Sequence, residues 1–405
     1  MAQQPSAYLC PNPMHIPKHI LPTIVLSQFA CTSLWFASNG VMGDMVAAFG
    51  LADSALSYLT SSVQLGFIAG TLLFAAFTIT DRFSPSRVFF VSAVLAAAAN
   101  LGAIAESNTL NTLVAARFAT GFFLAGIYPV GMKIAADYYA EGLGKSLGYL
   151  VGALVLGTAL PHLLKDLTGQ LQWRSVMVIT SCLATVGGLF MLLLVPNGPH
   201  RKASQRLNPG AIFKVFRNAK FRAAAFGYFG HMWELYAFWA FVPVMLAGYQ
   251  QLHPHAGFNL PVLAFAIIAA GGLACVLGGY VSQRFGVKRT ARAALLLSGV
   301  CCLASPLFLL GAPPMAFAGF LLFWGMVVVA DSPLFSTLVA RNAEAEFRGT
   351  ALTLVNCIGF AISVASIQLL YVLSQLLPAH LLYLVLVLGP AMGVLVLFFG
   401  AREKA

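Results

Sequence analysis

This sequence has little charge. Asp, Glu, Lys and Arg together make up 9% of its 405 residues, against about 25% in soluble globular proteins, while apolar residues make up 60%. So little polar surface cannot cover a water-soluble fold, and a soluble enzyme is excluded. Charged low-complexity tracts, the mark of disorder, are missing as well. No C-x-x-C pair occurs, and the cysteines other than Cys10 (Cys31, Cys182, Cys275, Cys301, Cys302 and Cys357) fall in apolar runs, which predicts free thiols and no disulfide framework. H-E-x-x-H, a Walker loop, G-x-S-x-G and a flavin fingerprint are all absent, which disfavours a membrane enzyme or an ATP-driven pump. His253 and His255 flank a proline with no Cys, Asp or Glu nearby, too few ligands for a metal. Neither metal nor cofactor is expected.

Long apolar runs are what the chain does have. At about 20 residues per span, runs at 20–42, 56–80, 88–105, 110–132, 146–164, 174–196, 223–247, 260–282, 293–311, 314–339, 350–374 and 379–400 predict twelve transmembrane helices. Between Arg222 and Arg284 the only charged side chain is Glu234, and between Arg348 and Arg402 there is none, so each gap must hold two spans, divided by hairpin loops at 248–259 and 375–378. The first run is too long for a signal-peptide core. Gly (37) and Phe (32) are plentiful, as suits close packing in lipid.

The net charge of +11 reports topology, not nucleic acid, because the basic residues sit between apolar runs. With residues 1–19 cytoplasmic, 20 of 23 basic residues fall on one side; Arg117 lies within a span, and Lys165 and Arg174 fall on the other side. Asp44, Asp53, Glu106 and Asp166 also lie on that other side, so both termini are expected in the cytoplasm. A basic linker, 197–220, separates a six-helix bundle at 20–196 from another at 221–400, and a short tail follows at 401–405. Within the linker, 211–220 reads as a short amphipathic helix suited to the inner leaflet.

The halves repeat. Asp81-Arg82-Phe83 and Gln283-Arg284-Phe285 are 202 residues apart; Leu34-Trp35 and Phe238-Trp239, and Tyr128-Pro129 and Ser332-Pro333, are 204 apart. The stretch 279–289 (GYVSQRFGVKR) is similar to the loop motif G-x-x-x-D-R-x-G-R-[KR] of the major facilitator superfamily, with Gln283 in place of the acid. The first copy keeps Asp81, Arg82 and Arg87 but has Phe77 and Ser84 where glycines are usual. In the fourth span Arg117 and Gly121, followed by Gly126, Tyr128-Pro129 and Gly131, resemble that family's R-x-x-x-G motif. The resemblance covers essentially the whole chain and implies two six-helix bundles around a midplane cavity. The fifth span offers Gly148, Gly152, Gly157 and Pro161 but no adjacent Gly-Pro, so it matches the proton-antiporter pattern only in part.

Charged residues inside spans usually face a bundle interior or cavity and mark an ion or substrate pathway. Three occur, Arg117, Glu234 and Asp331. Glu234 is the first-choice proton carrier, since a carboxyl that is alternately dry and wetted can load and release a proton. His231 shares nearly the same helix face and can bond to it. Asp331, beside a kink-forming proline, reads either as a second proton site or as half of a gate ion pair. Arg117 can hold an oxyanion, satisfy helix-end carbonyls, or, as the resemblance implies, tune a proton-carrying acid. Gln28, Trp35, Asn39, Gln64, Tyr128, Tyr236 and Trp239 are candidates to bind substrate by hydrogen bonds and stacking. Asp81, Arg82, Arg284 and Arg341 are candidate gate residues at span ends, with topology determination as the competing reading.

The expected protein is an all-α, multi-pass, monomeric carrier in a bacterial plasma (inner) membrane. It moves a small polar or anionic organic solute by alternating access, coupled to protons, with uptake by symport favoured. Export by proton antiport is the alternative, and a non-transporting membrane sensor the minor one.

Overall fold

The computed structural model describes residues 16–139, 143–167, 172–201 and 214–399, with Gly169 and Gly210. Among them are helices and turns and no strand. Among the described residues ten helical stretches are long and apolar enough to cross a membrane: Ala55–Ala76, Pro85–Gly102, Leu110–Tyr138, Ser146–Leu167, Arg174–Leu194, Leu260–Phe285, Val287–Gly311, Pro314–Asn342, Arg348–Ser374 and Ala379–Phe398. The burial pattern inverts that of a soluble protein. Leu193, Leu307 and Met315 stand 68%, 75% and 82% exposed, while Arg117, His231, Glu234 and Asp331 are buried. Such an exterior suits lipid, and such an interior must pair its polar groups internally.

Five expected helices differ from their sequence reading, those at 110–132 and 314–339 by breaks that match across the repeat. The run 20–42 is not one helix: Ile20–Thr32 ends in a turn, followed by Ala37–Gly40 and Met42–Phe49. The break is possible because Arg117 donates to the carbonyls of Leu34 and Trp35 at 2.9 and 2.6 Å, supplying partners that an unbroken helix would have provided. The run 223–247 lies inside a single 34-residue helix, Ala219–Leu252, which continues through the first part of the expected loop 248–259. His231, Glu234 and its aromatic residues keep this helix less apolar than the ten. The last run divides into Ala379–Leu382, a 3-10 segment Tyr383–Val387, and Leu388–Phe399. The expected linker helix at 211–220 falls partly outside the described residues. From Lys214 onward Val215 is buried, and the Asn218 Oδ1 caps the next helix by accepting from the Lys220 and Phe221 backbone N–H groups.

The repeat is visible as two matching breaks. Leu110–Leu124 is followed by Tyr128–Tyr138, and Pro314–Val327 by Ser332–Asn342. Pro129 and Pro333 stand in the first turn of the second piece, where a missing N–H leaves no helix bond unmade. Two seams join the helices before residue 197 to those after residue 218: Ala55–Ala76 against Arg348–Ser374, and Leu143–Leu167 against Leu260–Phe285. Shifting by the repeat interval exchanges these seams, as a two-fold relation between the halves requires. Small residues make the second seam tight. A Cβ on Gly152 or Gly272 would meet the other's carbonyl oxygen at 3.2 Å.

The two ends of the helix bundle differ in charge. Lys165 pairs with Asp44, and Arg174 with Glu106 at 3.4 Å; this is the acidic end. At the opposite, basic end Lys133 pairs with Asp81 at 2.6 Å, and Arg201 donates to the carbonyls of Thr80, Asp81 and Phe83.

Candidate functional site

A cavity lies between the two halves. Tyr128, Met132, Val151, Leu154 and Val155 line it from the first half, and Tyr228, Met232, Leu235, Tyr236, Trp239, Val329, Ser332, Ser336, Asn356 and Phe360 from the second. It holds about 30 Å³, space for about two waters. A solute therefore enters only as the halves move apart. None of the lining residues is charged. The wall instead offers phenol, hydroxyl and amide groups on an aromatic and thioether surface, and Trp239 Nε1 is buried without a hydrogen-bond partner.

Toward the acidic end aromatic rings close the cavity. Trp35 stacks against Tyr236 and Phe360 at centroid distances of 5.9 and 5.6 Å. Phe67 meets Phe360 at 4.7 Å, and Phe36 meets Trp239 edge-on at 6.3 Å. Rings from both halves thus share one apolar plug. Beyond it, Ser363 Oγ donates to Gln64 Oε1 at 2.7 Å, and Gln368 Nε2 donates to Ser61 Oγ at 2.8 Å and to the Ser57 carbonyl at 3.1 Å. Asn259 Nδ2 donates across the halves to Asp166 Oδ1 at 2.5 Å.

The buried ionisable groups of the second half lie just behind the cavity wall. Glu234 accepts three bonds: Trp324 Nε1 at 2.7 Å and Cys302 Sγ at 3.3 Å to Oε1, and Ser298 Oγ at 2.8 Å to Oε2. The expected bond between His231 and Glu234 is not made. His231 turns instead to Asp331, Nδ1 lying 2.8 Å from Oδ1; the approach is close but without hydrogen-bond alignment. His231 adjoins Met232, Asp331 adjoins Ser332, and Glu234 adjoins Leu235, and all three neighbours are wall residues.

Arg117 does not line the cavity. Besides the two carbonyls of the broken first helix it donates to Asn100 Oδ1 at 2.9 Å, so its guanidinium is occupied within the first half. Of the residues expected to touch substrate, Tyr128, Tyr236 and Trp239 are in the wall. Trp35 belongs to the plug and Gln64 to the polar seam beyond it. Asn39 Nδ2 donates to Thr60 Oγ1 at 2.8 Å within the first half. Gln28 is fully buried beside Gly131, whose missing side chain makes room for its amide. Of the expected gate residues, Asp81 pairs with Lys133 of its own half, while Arg82, Arg284 and Arg341 are exposed and, among the described residues, have no acid in ion-pair reach. His253 stacks on Tyr249 at 4.2 Å.

The sequence reading misses Tyr228, Ser332, Ser336 and Asn356 in the wall and Ser298, Cys302 and Trp324 around Glu234. Tyr228 had a signal, lying eight residues before Tyr236 on the same helical face. Ser336 follows Ser332 by one turn. The partners of Glu234 had none, because they come from helices 64 to 90 residues away.

A family model described as Major Facilitator Superfamily matches residues 24–367. No curated protein matches the chain.

Proposed function

Since the chain belongs to the major facilitator superfamily, whose members are secondary transporters and not enzymes, we propose that this multi-pass membrane protein carries a small polar organic solute by alternating access, coupled to protons. The observation that supports this most is the uncharged polar and aromatic cavity between two repeat-related halves, with Glu234 and the His231–Asp331 pair one residue behind its wall. Protonation of a carboxyl there changes the charge that the second half holds beside the substrate. That half then favours one closure over the other. In this reading the polypeptide crosses the membrane twelve times, counting the broken first helix and Ala219–Leu252. Its halves, 20–196 and 221–400, rock as bundles, and the basic end faces the cytoplasm of a bacterial cell. The monomer suffices, since one chain supplies both walls.

The wall refines the expected substrate. An anion preference would rest on Arg117, whose two terminal nitrogens are engaged away from the cavity. Tyr, Trp, Ser and Asn side chains favour an uncharged solute held by hydrogen bonds and ring stacking. Uptake by symport is the favoured direction, on the incomplete antiporter pattern of 148–161. The same aromatic and methionine-bearing wall would also receive an amphiphile, and this keeps export by antiport as the second reading.

The test uses proteoliposomes containing a pH-sensitive dye, challenged with sugars, amino acids, organic acids and amphiphilic cations, with wild type beside Glu234→Gln. A solute-dependent pH change that vanishes in the variant supports coupling through Glu234. Solute flux without proton movement in either protein rules it out, and binding without flux means a sensor.

A further inference from the structure

Glu234 points away from the cavity. On Ala219–Leu252 the wall residues Tyr228, Met232, Leu235, Tyr236 and Trp239 share one helix face, and at about 100° per residue Glu234 stands roughly 140° round from its centre. Its carboxyl lies between helices of its own half: Val287–Gly311 supplies Ser298 and Cys302, and Pro314–Val327 supplies Trp324. A proton on Glu234 is therefore bonded by the protein and not by the solute.

The three partners differ in what they can do. Trp324 Nε1, 2.7 Å from Oε1, donates and cannot accept. Cys302 Sγ, 3.3 Å from the same oxygen, accepts only weakly. Oε1 thus suits a charged carboxylate, or the carbonyl oxygen of a protonated one, but not the hydroxyl. Ser298 Oγ lies 2.8 Å from Oε2 and 3.0 Å from the Leu295 carbonyl oxygen. It has one hydrogen and two acceptors in reach. When Glu234 is charged that hydrogen goes to Oε2; when Glu234 is protonated it turns to Leu295, and the Ser298 oxygen is free to accept from the acid. Without such an acceptor the buried O–H would go unbonded, at a cost. The titratable groups that share the field of Glu234 are Cys301 and Cys302 on Val287–Gly311 and Asp331 beyond the break at 328–331. His231, one turn away on its own helix, faces Asp331. No described Lys, Arg or His lies within ion-pair distance of Glu234.

We propose that Ser298 is a positioning residue for proton binding at Glu234: the proton adds to Oε2, the Ser298 oxygen accepts a hydrogen bond from it, and the Ser298 hydrogen turns to the Leu295 carbonyl without leaving its own oxygen. Water supplies the proton, and one O–H bond forms, at Oε2. The place of this exchange in transport rests on the reading of Glu234 as the proton carrier; the exchange itself needs no solute. Protonation also weakens the bond from Trp324, because a neutral acceptor bonds less strongly than a charged one. Trp324 stands in the last turn of Pro314–Val327, just before the break that carries Val329 and Ser332 into the wall. The proton is thus felt at the wall without Glu234 entering the cavity.

Infrared spectra of the full chain in lipid nanodiscs, taken over a pH series without solute, give the band of the protonated carboxyl, assigned to Glu234 by its loss in Glu234→Gln. Its midpoint and its frequency are the readouts. Trp324→Phe removes a group that can only donate and is expected to raise the midpoint by about 1 pH unit. Ser298→Ala removes a partner of both forms, so the midpoint should move by less than about half of that, while the band shifts to higher frequency as the acid hydroxyl loses its acceptor. Ser298→Thr, which keeps the hydroxyl, should restore the wild-type band. The proposal is overturned if Ser298→Ala raises the midpoint as far as Trp324→Phe does, which would make Ser298 a donor to the carboxylate alone, or if its band stays at the wild-type frequency. It is overturned as well if Glu234 shows no protonated band at any pH at which the chain stays folded. Should Trp324→Phe fail to fold, the band of Ser298→Ala beside that of Ser298→Thr decides. No readout depends on flux, so the expected spectra in a protein that moves no protons with solute would overturn the carrier role of Glu234 and leave this assignment standing.

Discussion

Asp331 Oδ1 lies 2.8 Å from His231 Nδ1, and both side chains are 1% exposed. Their chain neighbours, Ser332 and Met232, form part of the cavity wall. The pair ties helix Ala219–Leu252 to the start of Ser332–Asn342, directly after the break at 328–331. A change in its protonation therefore acts where the helix is already interrupted and where fewest backbone bonds resist movement.

Removing one member should be worse than removing both. Asp331→Leu leaves the imidazole without its partner in a dry interior, a loss on the order of 3–5 kcal/mol, whereas His231→Phe with Asp331→Leu leaves no orphaned polar group. Thermal unfolding of the purified variants should place the double variant above the Asp331 single variant while substrate-driven proton movement is absent from both. Strictly additive losses would mean that the two residues do not interact.

Glu234→Gln should preserve the fold and remove coupling. The amide keeps a carbonyl oxygen for Trp324 Nε1 and Cys302 Sγ, and its NH₂ can donate to Ser298 Oγ, whose hydrogen turns to the Leu295 carbonyl, so only a small loss of stability, about 1 kcal/mol, is expected. Solute equilibration should persist while accumulation against a proton gradient disappears. Counterflow measured beside gradient-driven uptake separates these outcomes. Full accumulation by the variant would remove Glu234 from the proton path.

Arg117→Lys should behave almost as badly as Arg117→Leu. One guanidinium reaches Asn100 Oδ1 and the carbonyls of Leu34 and Trp35 together; an ammonium on a flexible stem cannot reproduce that fork. Charge alone is therefore not enough. Each variant should lower the melting temperature and increase exchange of amide hydrogens at 33–36, where the first helix is broken. Retention of wild-type stability by Arg117→Lys would show that position 117 needs only a positive charge.

Much of this was legible in the sequence because lipid imposes simple rules. Run length fixed where helices lie, and the repeat interval of 204 anticipated that Tyr128-Pro129 and Ser332-Pro333 would play matching parts, which they do as starts of the second helix pieces. Residues facing one another along a single helix were also within reach, as Tyr236 and Trp239 in the wall illustrate. What could not be read was which way a buried polar group turns. His231 and Glu234 lie three residues apart, and helical spacing alone suggests a bond, yet Asp331, Trp324, Ser298 and Cys302 compete for them from other helices. Nor did spacing forecast the break at 33–36. At the repeat-related position, 204 residues beyond Arg117, stands Leu321, and the matching helix Ala219–Leu252 runs unbroken.

The seam at the acidic end should set how readily the halves part there. Gln368 makes two of the hydrogen bonds that cross it, to Ser61 Oγ and to the Ser57 carbonyl, and Ser363 to Gln64 makes a third. At about 1 kcal/mol net for each bond, Gln368→Ala weakens the closed arrangement by about 2 kcal/mol, a shift of roughly 30-fold in the equilibrium between closed and open. The aromatic plug of Trp35, Phe67, Tyr236 and Phe360 lies below this seam and still resists opening, so the population change should be smaller than for removal of a ring by Phe360→Ala. A cysteine introduced at Ser57 and labelled with a membrane-impermeant maleimide from the acidic side measures the open fraction directly. Faster labelling in Gln368→Ala, and faster still in Phe360→Ala, is the expected order. Equal rates in all three backgrounds would mean that the seam does not hold this face shut.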